Sequence, residues 1–276
     1  MSLFGVDHVQ VVVRDLEMAK RTWARLGFTA TPRGHHLNRG SGNYCVMLRE
    51  GYIELIGIAD PRLPTSNLDA HLSHGPGPIG LAFGASSAAA AFTHLERAGL
   101  SPAAPNRLER VVEQAGGDTR LAFDLVNLPE GTVPGFRSFV CCHLSEKDVR
   151  APAWLEHPNT AIATSGFVVA AADPAPVLDA FRRIFGAEKV RGRVVETGRE
   201  RIEVVSPAEL EIVYPGASAR PGRPLPCLVG ISVRVEDLRR CKAILESTGV
   251  DPKPGPGGSL LVPADEATAA VLALHS

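Results

Sequence analysis

The chain has 276 residues, of which 45% are hydrophobic and 21% charged, a composition typical of a globular protein with a sizeable core. The formal net charge is −1 and no long basic block occurs, which argues against a nucleic-acid-binding protein. No apolar run approaches the roughly 18 residues of a membrane span, and the five cysteines form no CxxC pair. We therefore expect a reduced, cytoplasmic protein that contacts neither nucleic acid nor membrane.

The pattern of a strand, a helix and further short strands occurs four times along the chain. In the first copy, a β-branched run over 5–13 precedes a helix that Asp15 caps and Gly27 ends. The later caps and stops are Ser87 and Gly99, Asp173 and Gly186, and Asp237 and Gly249. Because cap and stop are 12 or 13 residues apart in every copy, the sequence predicts an α+β fold of four βαβββ modules.

Short strands are expected after each helix. They are 28–33, 43–49 and 52–58 in the first module, 108–113, 121–127 and 137–144 in the second, and 189–196, 201–205 and 209–214 in the third. In the fourth module only 259–262 is clear, because a stretch rich in Pro and Gly precedes it. The aperiodic segment 151–165 follows the second module. We therefore predict an N-terminal domain over 1–150 and a C-terminal domain over 151–276.

Alternation along three strands of the N-terminal domain places potential metal donors on the face that the helices do not cover. His8, Glu54 and His143 each lie on that face of their strand. A carboxylate between Ile53 and Leu55 would be costly to bury alone. Two imidazoles and one carboxylate are a donor set for divalent metal ions. The sequence thus predicts His8, Glu54 and His143 as metal ligands. The alternatives are strand histidines bonded to backbone and an ion pair of Glu54 with an arginine such as Arg49.

Other residues are candidates for contacts with a substrate. Gln10, Tyr52 and Cys141 lie on the same strand face as the predicted ligands, although a buried free cysteine is usually a small hydrophobic residue. His35 and His36 are expected in a loop over the mouth of the cavity. Together with Glu54, they are the candidate catalytic residues.

The pattern resembles a known superfamily. The four modules, with Val6-Asp7-His8-Val9 and the segment 52–56, are similar to the vicinal oxygen chelate superfamily, and most of all to its glyoxalase-like domain proteins. Trp154 with His157-Pro158-Asn159 also resembles that subgroup. The resemblance implies two curved mixed sheets, each formed by a pair of modules. It also implies a divalent metal (Fe, Mn, Ni or Zn) ligated from the first and last strands of each module.

The implied activity is that of a metal-dependent enzyme with lyase, isomerase or dioxygenase chemistry, acting on a small oxygen-bearing substrate that chelates the metal. One position departs from the pattern. Counting seven residues back from the cap, as His8 stands before Asp15, gives Gly80 in the second module, which has no side chain to ligate a metal. The same count gives Gly166 and Gly230 in the last two modules, so the C-terminal domain is expected to be degenerate.

In the C-terminal domain Glu211 matches Glu54 without histidine partners. The alternative function is a metal-free small-molecule or antibiotic-binding protein of the bleomycin-resistance type. Its apolar cup would be lined by Tyr52, Phe83, Phe123 and Phe139. In either case the partner is a small molecule, and because the sequence indicates no basic pocket, we expect a neutral or modestly acidic one. The protein could also form a homodimer.

Overall fold

The computed structural model describes residues 3–114, 116–145, 150–217 and 223–276. The elements follow one another as four βαβββ modules, which confirms the predicted α+β fold. Module 1 comprises β1 (Leu3–Val12), α1 (Leu16–Arg25), β2 (Gly34–His36), β3 (Ser41–Met47) and β4 (Tyr52–Ile58). Helix α2 (Leu68–Ser73) leads to module 2, which comprises β5 (Gly77–Ala85), α3 (Ala88–Arg97), β6 (Asn106–Val112), β7 (Thr119–Asn127) and β8 (Arg137–His143).

The second half repeats this order. Module 3 comprises β9 (Ala161–Ala170), α4 (Ala175–Phe185), β10 (Val190–Arg191), β11 (Val194–Glu196) and β12 (Arg201–Val205), and it is followed by α5 (Pro207–Val213). Module 4 comprises β13 (Cys227–Val235), α6 (Leu238–Ser247), β14 (Lys253–Pro254), β15 (Leu260–Val262) and β16 (Val271–His275). No helix among the described residues is long and apolar enough to cross a membrane.

Each half forms one eight-stranded sheet, and the two sheets differ in whether they close. In the N-terminal half the strand order is β1-β4-β3-β2-β6-β7-β8-β5, and pairing of β2 with β6 closes the sheet into a barrel. In the C-terminal half the order β10-β11-β12-β9-β13-β16-β15-β14 stays open at both ends. A cavity that is enclosed on all sides by strands is therefore found in the N-terminal half. The predicted domain boundary at 150 lies between the end of β8 and the start of β9.

Helix termini follow the chemistry read from the sequence. Asp15 accepts a hydrogen bond from the N–H of Met18, and Ser87 accepts one from Ala90, so each satisfies a donor of the first turn. After α1 and α3 the chain turns at Gly27 and Gly99, whose φ angles of 81° and 72° favour glycine. These local signals set the length of the helices that cover the outside of the barrel.

One hydrophobic core joins the two halves. Phe181 of α4 is fully buried and contacts Phe83 of β5, Phe136 and Phe185, with ring centroids 6.2 to 6.5 Å apart. The indole N–H of Trp23, on α1, donates to the hydroxyl of Thr268 in module 4 at 2.9 Å. Phe83 thus packs on the helix side of its strand, and its predicted place in the apolar cup is wrong.

Two of the predicted strands are absent for physical reasons. Residues 28–33 lie outside the strands, and β2 begins only at Gly34, after Pro32, which cannot donate a ladder hydrogen bond. Residues 209–214 belong mostly to α5, because Ser206 and Glu209 form a capping box just before and within its first turn. Glu211 is consequently an exposed helix residue and does not match Glu54. Strand β16 at the C-terminus was not predicted at all.

Burial of His157, in the segment between the halves, predicts how the stability of the protein depends on pH. His157 accepts from the N–H of Thr29 at Nδ1 and donates from Nε2 to the carbonyl of Met47, so the fold requires the neutral ring. Burial lowers its pKa below the ordinary 6.5. Below pH 6.5 the unfolded chain then binds more protons than the native one, and stability falls by about 1.4 kcal/mol per unit of pKa difference.

We expect the free energy of unfolding to decline as the pH falls from 6.5 toward the depressed pKa, and the decline to be shallower in His157→Gln. Urea unfolding between pH 8 and pH 4.5 measures both curves. Parallel curves for the two proteins would contradict the assignment of a neutral His157.

Candidate active site in the N-terminal barrel

The interior of the barrel contains a cavity of about 580 Å³, counted with the space at its mouth. Its wall is apolar on one part and polar on another. The apolar part includes Tyr52, Ile56, Leu108, Phe123, Leu125 and Phe139. The polar part includes His8, Gln10, His36, Ser41, Glu54 and Asn127, with Arg39, Arg110 and Arg137. Behind the cavity the barrel is filled by buried residues such as Met47 and Leu121.

Glu54 is the carboxylate of this cavity and is only 4% exposed. The side-chain amides of Gln10 and Asn43 donate to its two oxygens at 2.7 and 2.6 Å. The Nε2 atoms of His8 and His36 lie 3.6 and 3.8 Å from the same two oxygens. Burial raises the pKa of the Glu54 carboxyl, but the two imidazoles and two amides outweigh it and hold the pKa at about 2. Glu54 is therefore ionised in the folded protein.

His8 is fixed by a second buried carboxylate. Its Nδ1 lies 2.8 Å from Oδ2 of Asp7, and Nε2 of His143 lies 3.0 Å from both oxygens of Asp7. Burial raises the pKa of Asp7, yet the two histidines outweigh it and lower the pKa well below its usual range. Because the ionised carboxylate only accepts hydrogen bonds, Nδ1 of His8 carries a proton and donates. Stacking of its ring on Tyr52, with centroids 4.4 Å apart, further restricts His8.

Asp7 faces the interior because β1 contains a bulge. The strand pairs Val6 with Phe83 and His8 with Ala82, so two steps along β1 match one step along β5 and the alternation of faces is broken there. The N–H of Val6 donates to the carboxylate of Glu200 from the C-terminal half at 2.8 Å. Sequence reasoning missed Asp7, although a glycine inside a strand, here Gly5, is a signal for a bulge.

The structure brings some of the sequence candidates together and separates others. Gln10, Tyr52 and Cys141 line the cavity with His8 and Glu54. Arg49 pairs with Glu236, so the alternative ion pair with Glu54 is not formed.

The two histidines expected in a loop are in strand β2, where they face opposite ways, so their predicted place in a loop is wrong. His36 faces into the barrel and its Nδ1 contacts the hydroxyl of Ser41 at 2.8 Å. His35 is half exposed and lies 3.5 Å from Glu113 on the outside. Of the two, His36 is the one that lines the cavity.

His143 lies behind Asp7 rather than beside Glu54. Within the described part of the chain, the donors that all lie within 4.8 Å of one another are those of Asp7, His8 and Cys141, so His8, Glu54 and His143 do not form such a group. For a metal to bind Asp7, His8 and Cys141 through Nδ1 of His8, that nitrogen would first have to lose the proton that it donates to Asp7. Nε2 of His8 and the carboxylate of Glu54 present lone pairs to the cavity 3.6 Å apart, and Nε2 of His36 lies 3.8 Å from the other oxygen of Glu54.

The corresponding positions of module 2 offer no donor. Gly80 stands where module 1 has His8. The strand pair Gln10 and Glu54 of module 1 corresponds to Ala82 and Phe139 of module 2. A Cβ on Gly80 would lie 2.4 Å from Cγ of Arg137, so the missing side chain leaves room for this arginine.

The cavity is basic, contrary to the expectation from the sequence. Among the described residues that line it, three arginines stand against one carboxylate. Arg110 lies on β6, Arg137 begins β8, and Arg39 follows β2. They are far apart in the sequence, and the closure of the barrel brings them to one cavity, so a search for a local basic cluster could not find them.

The sheet of the C-terminal half retains a carboxylate at the position that corresponds to Glu54. Its strand pair Val168 and Glu203 corresponds to Gln10 and Glu54. Glu203 therefore replaces Glu211 as the counterpart of Glu54, and it accepts a hydrogen bond from the hydroxyl of Tyr214 at 2.8 Å. The counterparts of His8 are Gly166 and Gly230, which offer no donor.

Comparison with solved structures shows the fold. A hypothetical protein from Staphylococcus aureus is similar over 98% of each chain, with a TM-score of 0.65 and 9% identity. A mutant 4-hydroxymandelate synthase from Streptomyces coelicolor has a TM-score of 0.60 and 14% identity over 93% of this chain and 78% of the other. The Mn(II)-bound glyoxalase from Novosphingobium aromaticivorans has a TM-score of 0.56 and 14% identity over 99% and 82%.

Sequence comparison gives the family. No curated protein matches the chain significantly. The family described as a glyoxalase-like domain matches residues 6–185, which include both modules of the barrel and the first strand and helix of module 3. Because this match covers well over half of the chain, the chain belongs to the glyoxalase-like domain family.

Proposed function

We propose that this protein is a metal-dependent glyoxalase-like enzyme that acts on a small oxygen-bearing organic molecule inside the N-terminal barrel. The observation that carries the proposal is the approach of His8 Nε2 and the Glu54 carboxylate to 3.6 Å within a mostly enclosed cavity. Two ligands that each bind one ion at about 2.0–2.2 Å span such a separation. The reaction class is a lyase, isomerase or dioxygenase reaction.

The surroundings of the two donors fit a divalent ion. Asp7 holds the proton on Nδ1 of His8 and so leaves the lone pair of Nε2 toward Glu54, which is how metal-binding histidines are commonly oriented. The amides of Gln10 and Asn43 fix the carboxylate in turn. With two protein donors, the remaining positions would be open to substrate oxygens and water. A bound divalent metal supplies Lewis-acid polarisation of a substrate oxygen.

Other residues of the cavity position the substrate or keep water away from it. His36 presents Nε2 to the cavity while Ser41 holds its Nδ1, so it can accept or return a substrate proton at Nε2. Tyr52, Phe123 and Phe139 give the cavity an apolar wall that disfavours water beside the donors. The amide of Gln10 is well placed to orient a polar substrate group, because its oxygen is buried without a partner among the described residues.

Metal titration tests the proposal directly. Protein purified without a metal-affinity tag and treated with EDTA is expected to bind one Mn(II), Fe(II), Ni(II) or Zn(II) ion per chain by calorimetry and elemental analysis. His8→Ala and Glu54→Gln are each expected to weaken that binding at least 100-fold, because each removes one of two protein donors.

Glu203→Gln is the matched control, since Glu203 is the counterpart of Glu54 in the second sheet, and it should bind as the wild type does. A wild-type chain that takes up none of the four ions would exclude the metal-dependent reading. Equal loss in the control would mean that the ion binds elsewhere.

The second candidate is a metal-free small-molecule-binding protein. The replacement of module 2 donors by Gly80 and Phe139, with Arg137 lying across Gly80, favours it. It predicts that the EDTA-treated protein takes up none of the four ions. The metal titration therefore separates the two functions.

A further inference from the structure

We infer that the ligand of the barrel cavity is an organic monocarboxylate with an apolar body, that Arg110 binds its carboxylate, and that the charge of Arg137 attracts it from another part of the lining. The inference deepens the proposed function by naming the substrate class of the same cavity. It depends on the arginines rather than on the metal donors, so the two can fail separately.

Arg110 is a buried cation whose counter-charge is missing. It is 3% exposed, and no carboxylate of the described residues lies within 4 Å of its guanidinium. Its Nη1 donates to Sγ of Cys45 at 2.8 Å, and its Nε is buried without a partner. Burial raises the pKa of the Cys45 thiol to about 11, so this sulfur is neutral. A buried unpaired charge is costly, which an anionic ligand would relieve.

Glu54 does not contact Arg110, and its charge acts on Arg110 and Arg137 only at longer range. Both of its oxygens already accept amide hydrogen bonds and face the imidazoles of His8 and His36. The arginines thus bring positive charge in excess of the one carboxylate of the lining. A guanidinium binds a carboxylate through short, charge-assisted hydrogen bonds, and often through two at once.

Arg137 lines the same cavity. Its side chain crosses β5 where Gly80 leaves space, and Nη1 donates to the carbonyl of Ser66 at 3.3 Å. Arg137 also lines a second, wider cavity that shares Ser66, Asn127 and Phe139 with the first. It therefore lies where the two cavities meet.

The rest of the cavity wall indicates the chemistry of the ligand at the end away from its carboxylate. Two arginines carry aromatic neighbours, since the guanidinium of Arg110 lies 5.9 Å from the ring centre of Phe123 and that of Arg137 lies 5.8 Å from Phe139. Leu108 and Leu125 complete an apolar surface beside them. This surface suits an aryl or alkyl group attached to the carboxylate, and it does not suit a second charge.

The experiment compares phenylacetate with phenylacetamide, which have the same apolar body and differ in charge. Calorimetry on EDTA-treated full-length protein keeps a bound metal from contributing. Phenylacetate is expected to bind at least tenfold more tightly than the amide, since a hydrogen bond to a charged group is stronger than one to a neutral group. Arg110→Gln and Arg137→Gln should each lose at least tenfold in phenylacetate affinity and leave the amide unchanged.

Arg62→Gln is the matched control, because that side chain is 87% exposed and pairs with Asp60 outside the cavity. If Arg110→Gln does not fold, Arg137→Gln and rising ionic strength still test the inference, and both should weaken phenylacetate selectively. Equal binding of acid and amide, or full binding by a folded Arg137→Gln protein, would overturn it. Arginine-dependent phenylacetate binding without metal uptake would instead keep this inference and reject the metal-dependent function.

Discussion

Phe181→Ala is expected to lower the free energy of unfolding by about 3–5 kcal/mol, the usual cost of removing a large aromatic side chain from a core. Phe181 is fully buried, and its ring contacts Phe83 and Phe136 of the N-terminal half and Phe185 of its own helix. Because one side chain stabilises both halves, we also expect them to unfold in a single transition, in the wild type and in the variant.

Guanidinium unfolding followed by tryptophan fluorescence and by circular dichroism measures both expectations. Ile212→Ala, at a helix residue that is 81% exposed, is the control and should change stability by less than about 0.5 kcal/mol. A loss below 1 kcal/mol for Phe181→Ala would show that the two halves do not depend on this contact. Two separated transitions would show that they fold as independent domains.

Asp7→Asn is expected to weaken divalent metal binding by about 10- to 100-fold, the range found when a carboxylate that orients a metal-binding histidine is changed. The asparagine has nearly the same shape, but it no longer carries the charge that His8 and His143 both contact at 2.8–3.0 Å. His8 then loses the fixed direction of its Nε2 toward Glu54. This prediction rests on the proposed function and is measured by calorimetry with Mn(II) or Zn(II).

His143→Gln is the companion variant, and it distinguishes contact of this histidine with Asp7 from direct binding to a metal. In the structure His143 contacts Asp7 from the side away from Glu54, so its loss should weaken metal binding less than tenfold. If His143 is a metal ligand, as the sequence predicts, the variant should instead lose binding as His8→Ala does. Unchanged metal affinity in Asp7→Asn would contradict the orienting contact.

The spacing of helix caps and stops predicted the architecture well because these signals are local. An Asp or Ser cap bonds a backbone N–H three residues ahead, and a glycine just after the helix turns the chain, so no distant partner is needed. The capping box of Ser206 and Glu209 was equally local. It was overlooked because the run from Leu210 to Val213 is apolar enough to suggest a strand.

The site was predicted only in part. Alternation in β1 and β4 placed His8, Gln10, Tyr52 and Glu54 on one face, and the structure has them lining one cavity. Alternation failed at Asp7, where the bulge adds a residue on one strand only and so reverses the face. The face to which a side chain points depends on how its strand is paired. A bulge depends on both paired strands, so the sequence of one strand does not reveal it.

By itself, the sequence determined the four βαβββ modules, the faces of the regular strands and the absence of a donor at Gly80, since each depends on residues near one another along the chain. Tertiary structure alone decided that the barrel closes through β2 and β6, that Asp7 supports His8 from within, and that Arg110 and Arg137 share a cavity with Glu54. Barrel closure and the shared cavity join residues separated by tens of positions, and the side to which Asp7 points depends on a bulge between two strands. This geometry follows from strand register and barrel closure, which no short stretch of sequence encodes.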